Sequence, residues 1–150
     1  MFKTLFYFLL ACLFFSCSTK TEECKKNQIN PNGDSELALV MRALYNNTLS
    51  IKSEYIKNID SISNIKLNLN IIEDFTLNYE ALNHAEPTDR DLRNNDIYKG
   101  FADIYINSST EFLTNKYSKE NYNLMVNNCI KCHEQFCLGT IDKIRKLHIR

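Results

Sequence analysis

Four stretches of this chain repeat apolar side chains at every third or fourth position, the spacing that gathers them on one face of an α-helix. The first, Leu37, Val40, Met41, Leu44, Thr48, Ile51 and Tyr55, predicts an amphipathic helix from about Asp34 to Asn58, capped by Asp34 or Ser35. The second, Ile62, Ile65, Leu69, Ile72, Phe75, Tyr79 and Leu82, predicts a helix that runs to Asn83 and His84. It stops before Ala85-Glu86-Pro87, because a residue preceding proline is pushed toward extended backbone. Polar residues from Asp89 to Asn95 read as a connection. Ile97, Phe101, Ile104, Tyr105 and Phe112 mark a third helix ending near Asn115. Tyr122, Met125, Val126, Cys129, Cys132, His133 and Phe136 mark a fourth, from about Ser118 to an interruption at Gly139, and a short helical tail follows from Thr140 to Leu147.

Only three glycines and two prolines interrupt this pattern, so long helices are favoured over many turns. Four amphipathic segments with short connections predict an all-α fold: an antiparallel up-down-up-down four-helix bundle with a short C-terminal helical tail. A chain of 150 residues suffices for one such core, and no internal repeat or low-complexity run suggests a second. Lys plus Arg and Asp plus Glu both count 18, so no excess charge recruits nucleic acid or an anionic membrane surface.

The N-terminus constrains the compartment. Met1-Phe2-Lys3 followed by the mainly apolar run Thr4 to Phe15 has the layout of a secretory signal, too short to span a membrane permanently. Phe14-Phe15-Ser16-Cys17, followed by a polar run, resembles the lipobox of bacterial lipoproteins, with Cys17 as the lipidated residue. Leu9-Leu10-Ala11-Cys12 fits that pattern locally, but cleavage there would expose Leu13-Phe14-Phe15 at the new N-terminus. An ordinary cleaved signal is the third option. The expected organisation is a lipoprotein signal peptide over 1–16, a lipid anchor and polar tether over 17–33 and a helical domain over 34–150. The domain is thus expected to be lipid-anchored in the bacterial envelope, facing the periplasm.

Export changes the meaning of the six cysteines, because disulfides and covalent haem attachment both belong to exported proteins. Cys129-Ile130-Lys131-Cys132-His133 is the one motif with sharp chemistry. Two thiols three positions apart sit one helical turn apart on one face, where they can form thioethers to the two vinyl groups of a haem c. The next residue brings its imidazole over the same face as the proximal iron ligand. A zinc site needs two further ligands in comparable spacing, which His84 and His148 do not supply. A thioredoxin-like redox pair needs a preceding strand, and no strand pattern is present.

An exported four-helix pattern with Cys-x-x-Cys-His on its last helix resembles the cytochrome c-prime family and its non-covalent b-type four-helix relatives. Ordinary small cytochromes c carry the motif near the N-terminus instead. The resemblance spans roughly Asp34 to Phe136, and its only strict motif is the haem box. The chain departs from the family in its lipobox, in Cys24 and Cys137, and in having no tryptophan, so family function transfers weakly.

The sixth iron ligand decides function: a closed distal face makes an electron carrier, an open one a gas-binding site. In an antiparallel bundle the start of the first helix lies beside the end of the fourth. Met41 is seven residues past Asp34 and His133 six before Gly139, which at about 1.5 Å per residue puts them at nearly the same height. The segment Leu39 to Asn47 also resembles the first helix of the b-type relatives, where the resemblance implies iron ligation by this methionine. The bland alternative is a core methionine. Met125 lies two turns before His133 on the same helix and cannot reach the opposite haem face. His84 is a weaker rival at a helix end, and His148 in the tail is expected to be solvated. Tyr45, Phe75, Tyr79, Phe101, Tyr105 and Phe136 suffice to wall a haem, although aromatic stripes are more often core.

The leading expectation is a His/Met-ligated haem c electron-transfer protein, not an enzyme, with an unspecified redox partner protein, membrane attachment through its lipid, no nucleic-acid partner and room for homodimerisation. The alternatives are a protein that binds or senses nitric oxide or carbon monoxide through an open haem face, and a non-haem, disulfide-stabilised envelope lipoprotein. Haem and lipid leave Cys24 and Cys137 over, and an exported protein seldom keeps a spare pair reduced. A bond between them would close a loop of more than a hundred residues, worth about 4 kcal/mol in the chain-entropy model. If Cys24 lies in a disordered tether, it pairs with nothing.

Overall fold

A computed structural model of the chain describes residues 34–58 and 67–150. The described residues are helical throughout: α1 (Glu36–Lys57), α2 (Leu69–Ala81), α3 (Arg90–Asn94), α4 (Asp96–Thr114), α5 (Lys119–Phe136), a single 3-10 turn (Leu138–Thr140) and α6 (Ile141–Arg145). The expected signal peptide, tether, Cys12, Cys17 and Cys24 lie outside them, as do Ile62 and Ile65. Among the described residues no helix is long and apolar enough to cross a membrane.

Side-chain caps set most of the helix starts. Ser35 accepts from the Ala38 amide at 3.2 Å and opens α1. Asn68 does the same for α2 through Asn70, and Ser118 for α5 through Asn121. The connection expected from Asp89 to Asn95 contains α3, because Asp89 caps it through the Asp91 amide. Asn95 then ends α3 and at once caps α4, accepting from Ile97 at 2.9 Å and Tyr98 at 3.1 Å. Five residues carry no apolar stripe, so periodicity could not reveal this helix.

The buried faces differ from the expected stripes by one step in two places. Ile97 and Ile104 are 63% and 51% exposed, while the neighbouring Tyr98 and Tyr105 are buried together with Ala102 and Phe112. One residue is a rotation of about 100° on a helix; Tyr105 and Phe112 of the expected stripe are buried, while at the start of α4 the buried position is Tyr98 in place of Ile97, and Ile104 lies on the flank. Leu69 stands at the exposed start of α2, whereas Phe75, Tyr79 and Leu82 are buried as expected.

Hydrogen bonds fix the direction of the pairing. The Leu37 amide at the start of α1 donates to Glu86 O beyond the end of α2, Asn78 Nδ2 in the last turn of α2 donates to Asn47 Oδ1 midway along α1, and the Asn68 amide at the start of α2 donates to the Glu54 carboxylate near the end of α1. α1 and α2 therefore run antiparallel. At the start of α1 the Asp34 carboxylate holds the Arg42 guanidinium, with Nη2 to Oδ1 at 2.8 Å, and Arg42 keeps the Asp34 carboxyl below its ordinary value. α4 and α5 also run antiparallel, as edge-to-face ring pairs Tyr98–Phe136 and Phe112–Tyr122 show at opposite ends of the pair. α2 leans on α4.

α1 and α5 approach less closely at the backbone than either of these pairs. Tyr122, fully excluded from solvent, bridges them: its hydroxyl lies 3.0 Å from Thr48 O on α1 and 3.0 Å from Leu147 O beyond α6. Ile141, Ile144, Leu147 and Ile149 bury their side chains. Asn123 clamps Ile149 through both its amide and carbonyl, and Lys52 Nζ donates to Lys146 O. His148, expected to be solvated, is half-buried with Nε2 2.9 Å from Asn127 Oδ1 on α5.

Candidate functional site

A pocket opens between α1 and α5. α5 contributes Cys129, Cys132 and His133 to its wall, and α1 contributes Met41, Leu44, Tyr45 and Thr48 across from them. Tyr98, Ala102 and Tyr105 line it from α4, Leu82 from the end of α2, and Ile144 and Leu147 from the tail. The lining is almost wholly apolar and aromatic.

All four residues singled out by sequence for binding meet in this one pocket. Cys129 and Cys132 are free thiols on one face of α5, a turn apart, and both are partly buried. Burial pushes the Cys129 thiol up to about 12 and the Cys132 thiol up to about 11. Met41 lines the pocket from α1, whereas Met125 is fully buried in the core and takes no part in the lining. His84, just past α2, is exposed and does not line the pocket. Cys137 is exposed just past α5, and its expected partner Cys24 lies outside the described residues.

His133 occupies the last turn of α5, and burial lowers its pKa. Nδ1 lies 2.7 Å from Thr140 Oγ1 and 3.4 Å from Cys137 O, so that edge of the ring is engaged by the backbone turn behind it. The imidazole could thus offer its other nitrogen, Nε2, as a ligand.

The Tyr98 hydroxyl is buried without a hydrogen-bond partner, and the buried Tyr105 hydroxyl has only Ser109, Thr48 and Cys129 within reach, none at good hydrogen-bond geometry. Burial raises both, Tyr105 strongly, and each also feels one of the two cysteines: Tyr98 feels Cys132, Tyr105 feels Cys129. An apolar wall with a few polar groups set into it is the usual make-up of a small-molecule site. Two thiols on one face could attach a flat apolar group covalently, with an imidazole beside them and a thioether opposite to bind a metal at its centre. The residues therefore fit haem c.

Sequence reasoning named Tyr45 and Tyr105 among the aromatic wall, and both line the pocket; Phe75, Tyr79, Phe101 and Phe136 pack elsewhere. It missed Tyr98, Leu82, Ile144, Leu147 and Thr140. Tyr98 stands seven residues before Tyr105, two helical turns on the same face, and that spacing was the available signal. No protein family, curated protein or solved structure matches the chain.

Proposed function

We infer that the pocket holds one haem c, attached through Cys129 and Cys132, with His133 as proximal ligand and Met41 on the opposite face, and that the protein transfers electrons. The observation that carries this reading is the convergence of these four side chains, from two helices some ninety residues apart in sequence, on a single apolar pocket. When bound, haem supplies one-electron exchange between ferric and ferrous iron, and the protein's part is attachment, ligation and exclusion of water.

Each group has a part in that scheme. The two thiols fix the ring to α5, and His133 presents a neutral nitrogen because burial disfavours its cation. The thioether of Met41 favours the ferrous state and so raises the potential. Leu44, Leu82, Ile144 and Leu147 keep water from the iron. The four longer helices belong, on this reading, to an up-down-up-down bundle of the cytochrome c-prime kind, in an exported, lipid-anchored chain.

Haem staining on a denaturing gel and the reduced absorption spectrum of the lipid-free domain, made in the periplasm, test the reading together. Stained, low-spin protein that resists carbon monoxide is the expected result. Replacing Cys129 and Cys132 by serine is expected to abolish the stain, since no thioether can form. Wild-type protein without haem would overturn the reading. Stained, high-spin protein that binds carbon monoxide readily would replace electron transfer by gas binding.

A further inference from the structure

Resting on the haem reading, we propose that Thr140 is a positioning residue for the proximal ligand: it receives the Nδ1 proton of His133, fixes the ring's tautomer and plane, and strengthens Nε2 as a donor to iron. The argument begins with the turn that follows α5. Cys137 leaves the helix at φ −157° and ψ 72°, and the 3-10 turn Leu138–Thr140 brings the Thr140 hydroxyl back to the ring of His133. Oγ1 of Thr140 then lies 2.7 Å from His133 Nδ1 and 3.3 Å from Cys137 O, which is itself 3.4 Å from the same Nδ1.

A backbone carbonyl can only accept, so any proton between Thr140 and Cys137 is the threonine hydroxyl's, and any proton between His133 and Cys137 is the ring's. With the hydrogen on Nδ1 all three contacts are satisfied at once, Nδ1–H to Oγ1–H to O=C, whereas an unprotonated Nδ1 would take the hydroxyl proton and leave its own lone pair facing Cys137 O. The first arrangement is the one we assign. Nε2 is left with a free lone pair, the form an axial imidazole needs.

A metal-bound histidine held in this way through its other nitrogen is a better donor, and a better donor favours the oxidised metal. The position at the end of α5 works in the same direction, because the carbonyl end of a helix stabilises positive charge on the ring. The structure thus sets Thr140 against Met41: one strengthens the donor on the proximal side, the other favours the reduced state from the distal side.

The test uses the holoprotein and three variants, T140V, T140S and T140A, each checked first for stained haem and for helical content. T140V keeps the shape and removes the oxygen. It is expected to retain full haem attachment, to raise the reduction potential and to lower the iron–histidine stretching frequency of the ferrous high-spin form obtained in a M41A background. T140A should shift both quantities the same way, and T140S should return both to wild-type values. Unchanged potential and stretching frequency in T140V and T140A, with haem still attached, would overturn the role of Thr140 and leave the haem reading standing. Absence of haem from the wild-type protein would remove the haem reading itself.

Discussion

Met41 and His133 come to the same pocket from opposite walls, and the methionine is the more replaceable of the two. On the proposed reading, Met41→Ala opens the distal face, converts the iron from low to high spin and lowers the potential, because the thioether that favoured ferrous iron is gone. Absorption and redox titration check it; an unchanged low-spin spectrum would assign the sixth position to another side chain. Residues of this kind were legible from sequence because their chemistry is tied to spacing: Cys129, Cys132 and His133 by one helical turn, Met41 by its height along the bundle. Thr140 was not, since its contact with His133 depends on where the chain turns after Phe136 and not on a helical repeat.

Between α4 and α5 the chain reverses through two consecutive residues with left-handed backbone, Lys116 at φ 54° and Tyr117 at φ 56°. The turn is held by the Tyr117 amide, which donates to Phe112 O at 3.2 Å, and by the Tyr117 ring, tilted against Phe112 at 5.6 Å. An L-residue with a Cβ costs about 1–2 kcal/mol there, and glycine avoids that cost at some expense in chain entropy. Lys116 is exposed and Tyr117 packs, so Lys116→Gly is the informative change. It is expected to stabilise the protein by ~0.5–1 kcal/mol, read as a higher urea midpoint at unchanged slope. Tyr117→Gly should give less or none of this gain, because the ring contact goes with the side chain. The limits of the helices were legible where a cap coincides with the start of a stripe, as at Ser35 and Ser118. They were not at Asn95, which serves two helices at once.

Across the whole molecule, the tail is what the periodicity least foretold. The all-helical class follows from four long stripes and few breakers, and the antiparallel pairs α1–α2 and α4–α5 follow from short connections. That the segment after α5 would pack back between α1 and α5 could not be read from it, because a stripe as short as Ile141, Ile144 and Leu147 has no partner face written beside it. Tyr122 joins all three parts, and Tyr122→Phe removes the single hydroxyl proton that the Thr48 and Leu147 carbonyls share in a dry interior. A loss of about 1–2 kcal/mol is expected, measured by urea denaturation of the holoprotein; a loss within error would mean that the bridge is not what holds the tail.

The contacts that close the pocket also differ in time. Tyr98 with Phe136 and Phe112 with Tyr122 join neighbours across one turn, whereas Thr48 meets Tyr122 across 74 residues and Lys52 meets Lys146 across 94. Closing a long loop costs more entropy before any contact rewards it, so local pairs form first. The α4–α5 hairpin, which carries Cys129, Cys132 and His133, is therefore expected to assemble before α1 docks, presenting the thiols on an ordered surface while the pocket is still open.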